Sequence, residues 1–242
     1  MESIVAQVIS RVEVMRMICQ DGFSLKNLPL EFSSDYEIVM ASVRSNGLAL
    51  EFASLKLRAD REIVRAAVNQ NGLAIQFAPL RLRSDREIAM NAVGRNGVAL
   101  EFVSHDLLAD REIVIIAVHQ NAYALKFASS DLQSDFEIVR MAVQQDGGIL
   151  RHASLALQAN REIVLMAVNR RGRALKYASP DLRADREVAL AAVQQDGEAI
   201  EFVSPELRAD LEIVLIAARQ SAALLDYASP KLYRELMQLE RI

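Results

Sequence analysis

The chain has 242 residues, of which 52% are hydrophobic and 25% are charged, so it holds ample apolar material for a continuous core. Its 28 basic and 32 acidic residues give a net charge of -4, which is too mild to demand a nucleic-acid or membrane partner. No apolar run approaches the ~18 residues that span a bilayer, and the first ten residues lack the pattern of a signal peptide. We therefore expect a soluble, cytoplasmic protein.

One segment, from Asp60 to Gly72, recurs through the chain at a fixed spacing of 25 residues. A period of this length is typical of a supersecondary unit that buries its apolar face by stacking on its neighbours. With a degenerate first copy at Ser10, the sequence predicts an all-α fold, an α-solenoid of nine 25-residue repeats. The regular copies open at Asp35, Asp60, Asp85, Asp110, Asp135, Asn160, Asp185 and Asp210.

The predicted domain organisation has three parts. Residues 1–9 carry apolar side chains at helical spacing and predict an N-terminal capping helix. Residues 10–234 form the nine tandem helical repeats, and residues 235–242 begin a further helix that we expect to cap the C-terminal end. We expect the three parts to form a single elongated domain.

Each repeat predicts a long helix, a glycine turn, a short helix and a 3₁₀-like turn. Asp60 is a typical N-cap, and Glu62 places negative charge in the first turn of the long helix. The pair Asn71-Gly72 predicts a left-handed C-cap. The run that follows predicts a short amphipathic helix with Gln76 facing solvent. The apolar stripe of the long helix comprises Ile63, Val64, Ala67 and Val68.

The recurring phrase Leu-Arg-Ala-Asp-Arg-Glu-Ile-Val, followed by Ala-Val, Asn-Gly and Ala-Leu-Glu-Phe-Ala-Ser, resembles the repeat family called domain of unknown function 4116. The resemblance covers essentially the whole chain and implies a tandem helical array. It implies no activity, cofactor or catalytic residue. A looser likeness to leucine-rich-repeat-variant solenoids, which alternate α-helices with 3₁₀-helices, implies the same architecture.

The residues that usually carry catalysis or bind metals are few. His105 and His119 lie in different repeats and have no second ligand at metal spacing. His152 stands where other repeats carry an aromatic residue, so we interpret it as a half-buried packing residue. The single cysteine, Cys19, is interpreted as a buried thiol. We therefore predict no enzymatic activity, no cofactor and no metal site.

The start of each long helix carries a recurring Arg-Glu pair, such as Arg61-Glu62. Stacking would bring these charges together in a ladder, which we interpret as a solvated structural edge with weak ion pairs. An acidic metal site along the same edge is the weaker alternative.

Basic residues concentrate between Arg151 and Arg183, where seven stand against two acidic residues. Three stacked cations at the outward position of the short helix would form a stripe that can hold a phosphate or an acidic peptide. Chance clustering on a solvated surface is the alternative interpretation. The candidate partner-binding residues on this stripe and the adjoining turn are Lys126, Arg151, Arg170, Arg171, Arg173 and Lys176.

The function that these observations favour is a non-enzymatic repeat scaffold that binds a protein or peptide. One alternative is a nucleic-acid or phosphate-ligand binder that uses the same basic stripe. Another is a structural spacer, or a module that associates end to end with further copies. We expect no membrane partner.

Overall fold

The computed structural model describes residues 10–239, which contain many helices and no strand. A long α-helix, a six-residue 3₁₀-helix and a third short element follow one another along the chain, and this pattern recurs with the period of the sequence. The predicted all-α solenoid of tandem repeats is thereby confirmed. The predicted capping helix of residues 1–9 lies outside the described residues.

The long α-helices have ten residues each and nearly identical spacing. They span Arg11–Gln20, Tyr36–Ser45, Arg61–Gln70, Arg86–Arg95, Arg111–Gln120, Phe136–Gln145, Arg161–Arg170, Arg186–Gln195 and Leu211–Gln220. The 3₁₀-helices that follow them span Gly22–Asn27, Gly47–Phe52, Gly72–Phe77, Gly97–Phe102, Ala122–Phe127, Gly147–His152, Gly172–Tyr177, Gly197–Phe202 and Ala222–Tyr227.

The third element is a single α-turn in some repeats and a 3₁₀-turn in others. The α-turns span Leu55–Arg58, Leu80–Arg83, Leu155–Gln158 and Pro180–Arg183. The 3₁₀-turns span Phe32–Ser34, His105–Ala109, Leu132–Ser134 and Leu207–Ala209. The sequence predicts 3₁₀ geometry only for the last turn of the repeat, but the short helix after each long helix is also a 3₁₀-helix.

The long helices begin where the sequence predicts. One carboxylate oxygen of Asp60 accepts hydrogen bonds from the backbone N–H groups of Glu62 and Ile63, at 2.9 and 3.0 Å. These bonds satisfy two of the N–H groups that the first turn of a helix leaves without a partner. The apolar stripe then packs inward, and Ile63, Val64, Ala67 and Val68 are fully buried.

The glycine after the long helix does not form the predicted left-handed cap. Among the described residues no glycine has a positive φ angle, and Asn71 before it is extended, with φ -147° and ψ 113°. The Asn71 side chain instead accepts the N–H of Leu73 at 3.0 Å and opens the 3₁₀-helix. A Cβ at position 72 would overlap the carbonyl oxygen of Ala92 in the next long helix, so a side chain there would force the two elements apart.

A glutamine at the end of each of several long helices joins consecutive repeats. The Gln70 side chain accepts the N–H of Gly47 at 2.6 Å and donates to the carbonyl of Ser45 at 3.3 Å. Gln220 accepts the N–H of Gly197 at 2.7 Å in the same way. Each of these glutamines therefore holds the helix-to-helix turn of the preceding repeat in place. Gln120 and Gln195 make the corresponding bond to Gly97 and Gly172.

Consecutive third elements are joined by backbone hydrogen bonds. The N–H of Ser54 donates to the carbonyl of Ser33 at 2.8 Å, and equivalent bonds recur in later repeats. The recurring leucine of this element is buried at Leu57, Leu82 and Leu232 and half-buried at Leu182 and Leu207.

The last helix, Pro230–Leu239, departs from the pattern because it runs for ten residues without a break. Glu235 stands where the preceding regular repeats carry an N-cap Asp or Asn, so no short side chain interrupts the helix at that position. The prediction of a C-terminal cap over residues 235–242 remains a prediction, and residues 240–242 lie outside the described part.

Contacts between residues divide the chain into two compact units, Met1–Phe127 and Ala128–Ile242. The described parts of both units are built from the same repeat. The prediction of a single elongated domain stays a prediction.

Substitution of Gly72 by alanine should lower the free energy of unfolding by about 1–3 kcal/mol, because the new methyl group forces the backbone of two repeats apart. Gly94 offers a matched control, since a Cβ there would meet only Ile116, at 3.8 Å. Gly94→Ala should stabilise the protein by about 0.5–1 kcal/mol through the higher helix propensity of alanine. Urea denaturation of both variants checks the prediction, and a Gly72→Ala variant as stable as the parent would contradict it.

Candidate partner-binding surface

The Arg-Glu ladder at the start of the long helices forms as predicted. The guanidinium of Arg61 lies 3.1 Å from the carboxylate of Asp85 and 2.7 Å from that of Glu87, both in the next repeat. The arginine thus binds the N-cap residue and the first-turn glutamate of its neighbour. The same double contact joins Arg11 to Asp35 and Glu37, Arg86 to Asp110 and Glu112, Arg161 to Asp185 and Glu187, and Arg186 to Asp210 and Glu212.

The ladder lowers the pKa of its N-cap carboxylates. Partial burial acts to raise the pKa of Asp85, but the guanidinium of Arg61 and the backbone N–H groups of Ile88 and Glu87 outweigh it. At Asp110 the hydrogen bond from Arg86 is the main cause of the lowered pKa. These carboxylates are occupied by arginines and backbone donors. Within residues 10–239 no group of three or more His, Cys, Asp or Glu side chains is arranged to hold a metal ion.

The six candidate basic residues fall in different units. Lys126 belongs to the first unit, where it is exposed and its ammonium lies 5.3 Å from the ring centre of Tyr123 and 5.2 Å from that of Phe127. The other five lie in the second unit and are all exposed. We call these five the basic turn surface: Arg151, Arg170, Arg171, Arg173 and Lys176.

The 3₁₀ geometry of the short helices determines how this surface is arranged. Side chains three residues apart eclipse one another in a 3₁₀-helix, so Arg173 and Lys176 project to the same side of Gly172–Tyr177. Burial of Tyr177 acts to raise its pKa, but hydrogen bonds and positive charge from Lys176 and Arg151 lower it from its ordinary value. Tyr177 therefore brings cations from two consecutive repeats together.

Two of the arginines occupy positions that build the scaffold elsewhere in the chain. Arg170 stands at the position of Gln70 and Gln195, the glutamines that accept a glycine N–H, and an arginine side chain has no acceptor. Arg171 stands at the position of Asn71, whose side chain caps the 3₁₀-helix, and it makes no such cap. At both positions positive charge replaces a stabilising hydrogen bond.

A glycine in the preceding repeat accommodates one of these substitutions. A Cβ at Gly148 would lie 3.0 Å from the guanidinium of Arg171 and 3.2 Å from the carboxylate of Asp146. Gly148 is buried, and Arg171 extends across it toward Asp146, with 3.8 Å between the nearest charged atoms. Gly148 thereby leaves space for the side chain of Arg171. The signal for this role is that Gly148 and Arg171 depart from their repeat positions in adjacent repeats.

Carboxylates border the basic turn surface. Glu198 lies 2.7 Å from the guanidinium of Arg173, and Glu201 projects from the same 3₁₀-helix as Glu198. The positive surface therefore ends at the next repeat, where the charge changes sign.

The remaining sequence-based interpretations have mixed outcomes. His152 is half-buried, as predicted, and its Nε2 accepts a hydrogen bond from Nε of Arg151 at 2.8 Å. The interpretation of Cys19 as a buried thiol is wrong, because its side chain is exposed. Cys19 lies in the polar column that carries Arg44 and Asn69 in the next two repeats. No helix among the described residues is long and apolar enough to cross a membrane.

The stacked helices, the buried apolar columns and the variable exposed turns define the chain as an α-solenoid repeat protein. The chain belongs to the family described as domain of unknown function (DUF4116), whose model matches residues 14–58, 60–108, 110–158, 135–183, 160–208 and 185–233. The resemblance seen in the sequence is thereby confirmed. No curated protein and no solved structure matched the chain.

The protein should lose stability in acid through its N-cap carboxylates. Because the pKa of Asp85 is below its ordinary value of 3.8, the unfolded chain takes up its proton first as the pH falls. The stabilisation is complete above about pH 5 and is lost as the pH falls through the folded pKa. Asp85→Asn keeps an N-cap acceptor, as Asn160 does, but removes this titration. Its urea midpoint should therefore fall less than that of the parent between about pH 5 and pH 2, whereas Asp106→Asn, outside the ladder, should follow the parent.

The variant Arg170→Gln/Arg171→Asn should be more stable than the parent, because it restores the acceptor for the N–H of Gly147 and the cap of the 3₁₀-helix. The restored cap alone is expected to contribute about 0.5–2 kcal/mol. The midpoint of urea denaturation measures the gain. Arg95→Gln, at the same repeat position in the first unit, is the matched control for the glutamine bond. An unchanged or lower midpoint would show that the two arginines do not displace scaffold interactions.

Proposed function

We propose that this protein is a non-enzymatic repeat scaffold whose basic turn surface binds an acidic segment of a partner protein. The observation that carries the proposal is the replacement of two scaffold positions by Arg170 and Arg171 in one repeat, together with the glycine at position 148 that accommodates Arg171. A solenoid presents repeated surfaces of this kind to its partners. The proposal includes a cytoplasmic location for the scaffold.

The energetic pattern supports a binding role for these side chains. Other repeats place Gln and Asn or Asp at the two positions, where Gln70 and Gln195 join consecutive repeats and Asn71 caps its 3₁₀-helix. Arginine provides none of these bonds, yet it projects a guanidinium that can bind a carboxylate through two parallel hydrogen bonds. Natural proteins commonly lose stability at positions that serve function.

The borders of the surface favour a short acidic protein segment over nucleic acid. Arg173 is already paired with Glu198, and Glu201 lies on the same side of the adjacent 3₁₀-helix. A continuous phosphate backbone that crossed this border would approach both carboxylates. Asp and Glu side chains placed opposite Arg151, Arg171 and Lys176 avoid that repulsion.

The proposal is tested with a fluorescein-labelled, glutamate-rich peptide of about twelve residues, whose binding is followed by fluorescence anisotropy at low salt. The variant Arg151→Gln/Arg170→Gln/Arg171→Asn/Lys176→Gln carries residues that other repeats place at the same positions. It should bind at least about tenfold more weakly, since each charge-assisted hydrogen bond contributes about 1.5–3 kcal/mol when it is fully formed. Its denaturation midpoint should not fall.

Two controls separate the possible results. Arg95→Gln removes an arginine from the same repeat position in the first unit and should leave peptide binding unchanged. A single-stranded DNA of equal length tests the nucleic-acid alternative. Equal peptide binding by the parent and the fourfold variant would contradict the proposed site. If the parent binds the DNA more tightly than the peptide and the fourfold variant does not bind it, the partner is nucleic acid and not protein.

A further inference from the structure

The first unit carries a row of exposed leucines that no part of the scaffold requires. Leu30, Leu55 and Leu80 occupy the same position in three consecutive repeats and are 87%, 76% and 60% exposed. Leu55 and Leu80 open their third elements, and Leu30 lies two residues before Phe32–Ser34. The inward leucines two residues later, such as Leu57 and Leu82, are buried and already fill the core. We call the three exposed side chains the leucine row.

The three leucines lie on adjoining turns. The N–H of Ser54, next to Leu55, donates to the carbonyl of Ser33 in the first turn at 2.8 Å. In the third turn Pro79 has no N–H to continue this backbone link, and the side chain of Arg81 donates to the carbonyl of Ala59 instead. Each repeat contributes one leucine at the same register, so the step of the leucine row follows the spacing of the repeats, which is about 8–10 Å between the axes of packed long helices.

We propose that the leucine row is a docking surface for an amphipathic α-helix of a partner protein. A helix advances about 10.5 Å in seven residues, so apolar side chains at i, i+7 and i+14 match the step of the row. Helices that dock through one apolar face are a recurrent mode of protein recognition. Clustered exposed apolar side chains are also the usual mark of an interaction surface.

The charges beside the leucines determine the direction of the partner helix. Glu31 follows Leu30, whereas Lys56 follows Leu55 and Arg81 follows Leu80, and all three charged side chains are exposed. A partner helix with a basic residue near its first apolar contact and acidic residues near the second and third would be complementary to this order. The reversed order would place like charges together at two of the three steps.

The same features favour a protein helix over a lipid surface. The leucines form a single file and not a broad patch, and an anionic bilayer would attract Lys56 and Arg81 but meet the carboxylate of Glu31 at one end of the row. A helix contacts such a row along its whole length. Because the row lies in the first unit and its argument uses none of the basic turn surface, it does not depend on the function proposed above.

The chain offers a matched control for this surface. Leu155 in the second unit occupies the same repeat position and is 82% exposed, but its neighbours at that position are Ser130 and Pro180. It is therefore a single exposed leucine and not part of a row. Ser130 also shows that the repeat accepts serine there, so Leu30→Ser/Leu55→Ser/Leu80→Ser should retain the denaturation midpoint of the parent.

The test is selection from a displayed library of helical peptides of about 18 residues, or five turns. The peptides are selected on the parent protein and counter-selected on the triple serine variant. Enriched peptides should carry leucine or another large apolar residue every seven positions, with the basic-to-acidic charge order given above. In fluorescence anisotropy, one enriched peptide should bind the triple variant at least tenfold more weakly than the parent, and should bind Leu155→Ser as well as the parent.

Several results would overturn the proposal. If no enriched peptide distinguishes the parent from the triple variant, the leucine row is not a docking surface for a helix. Binding to phosphatidylcholine–phosphatidylserine vesicles that depends on the leucine row, without peptide binding, would assign the row to lipid. A doubled mass in light scattering that the triple variant abolishes would assign it to a second copy of this chain. The variant Arg170→Gln/Arg171→Asn should retain the selected peptide, which separates a failure here from a failure of the basic turn surface.

Discussion

The repeats depend on one close contact, the approach of a 3₁₀-helix to the carbonyl end of the next long helix. At Gly72 the backbone lies so near the carbonyl of Ala92 that a side chain would force the two apart. The other interactions between repeats depend on that spacing. Gln70 can reach Gly47, and Arg61 can reach both Asp85 and Glu87, only because neighbouring helices are held at a constant distance. An insertion within a repeat would move all of these partners at once, which accounts for the unbroken period of 25 residues.

Local chemistry predicted much of the fold. The Asp N-caps, the apolar stripe of Ile63, Val64, Ala67 and Val68, and the outward Gln76 all follow from patterns within one repeat, and the structure contains each of them. The role of Gly72 could not be found in this way, because its reason lies in Ala92 of the next repeat. The 3₁₀ geometry of the second helix was missed for a related reason. A six-residue amphipathic run has too few residues to separate a 3₁₀ period from an α period.

The candidate site shows the same division between local and distant causes. The concentration of positive charge was visible in the sequence, as was the departure of Arg170 and Arg171 from their repeat positions. The contacts of Arg171 with the Asp146 turn, and of Arg173 with Glu198, join residues 25 positions apart and required the fold. The role of Gly148 also required the fold, because the side chain that covers it belongs to another repeat.

The ladder shows how the scaffold compensates when a repeat loses a charge. Phe136 stands where most repeats carry the ladder arginine. The N-cap residue that an arginine there would contact is Asn160, which is neutral and still accepts the N–H of Ile163. Tyr36 replaces the ladder arginine that would contact Glu62 of the next repeat. Glu62 pairs instead with Arg65 of its own helix, at 2.6 Å. In both cases the change is matched by a nearby residue that keeps the helix start capped or its charge paired. Arg170 and Arg171 differ from these cases, because Arg171 makes no cap for its 3₁₀-helix and an arginine at position 170 has no acceptor for a glycine N–H. Arg95 shows that the scaffold accepts a single arginine in the glutamine column, so the basic turn surface is distinguished by the occurrence of both replacements in one repeat.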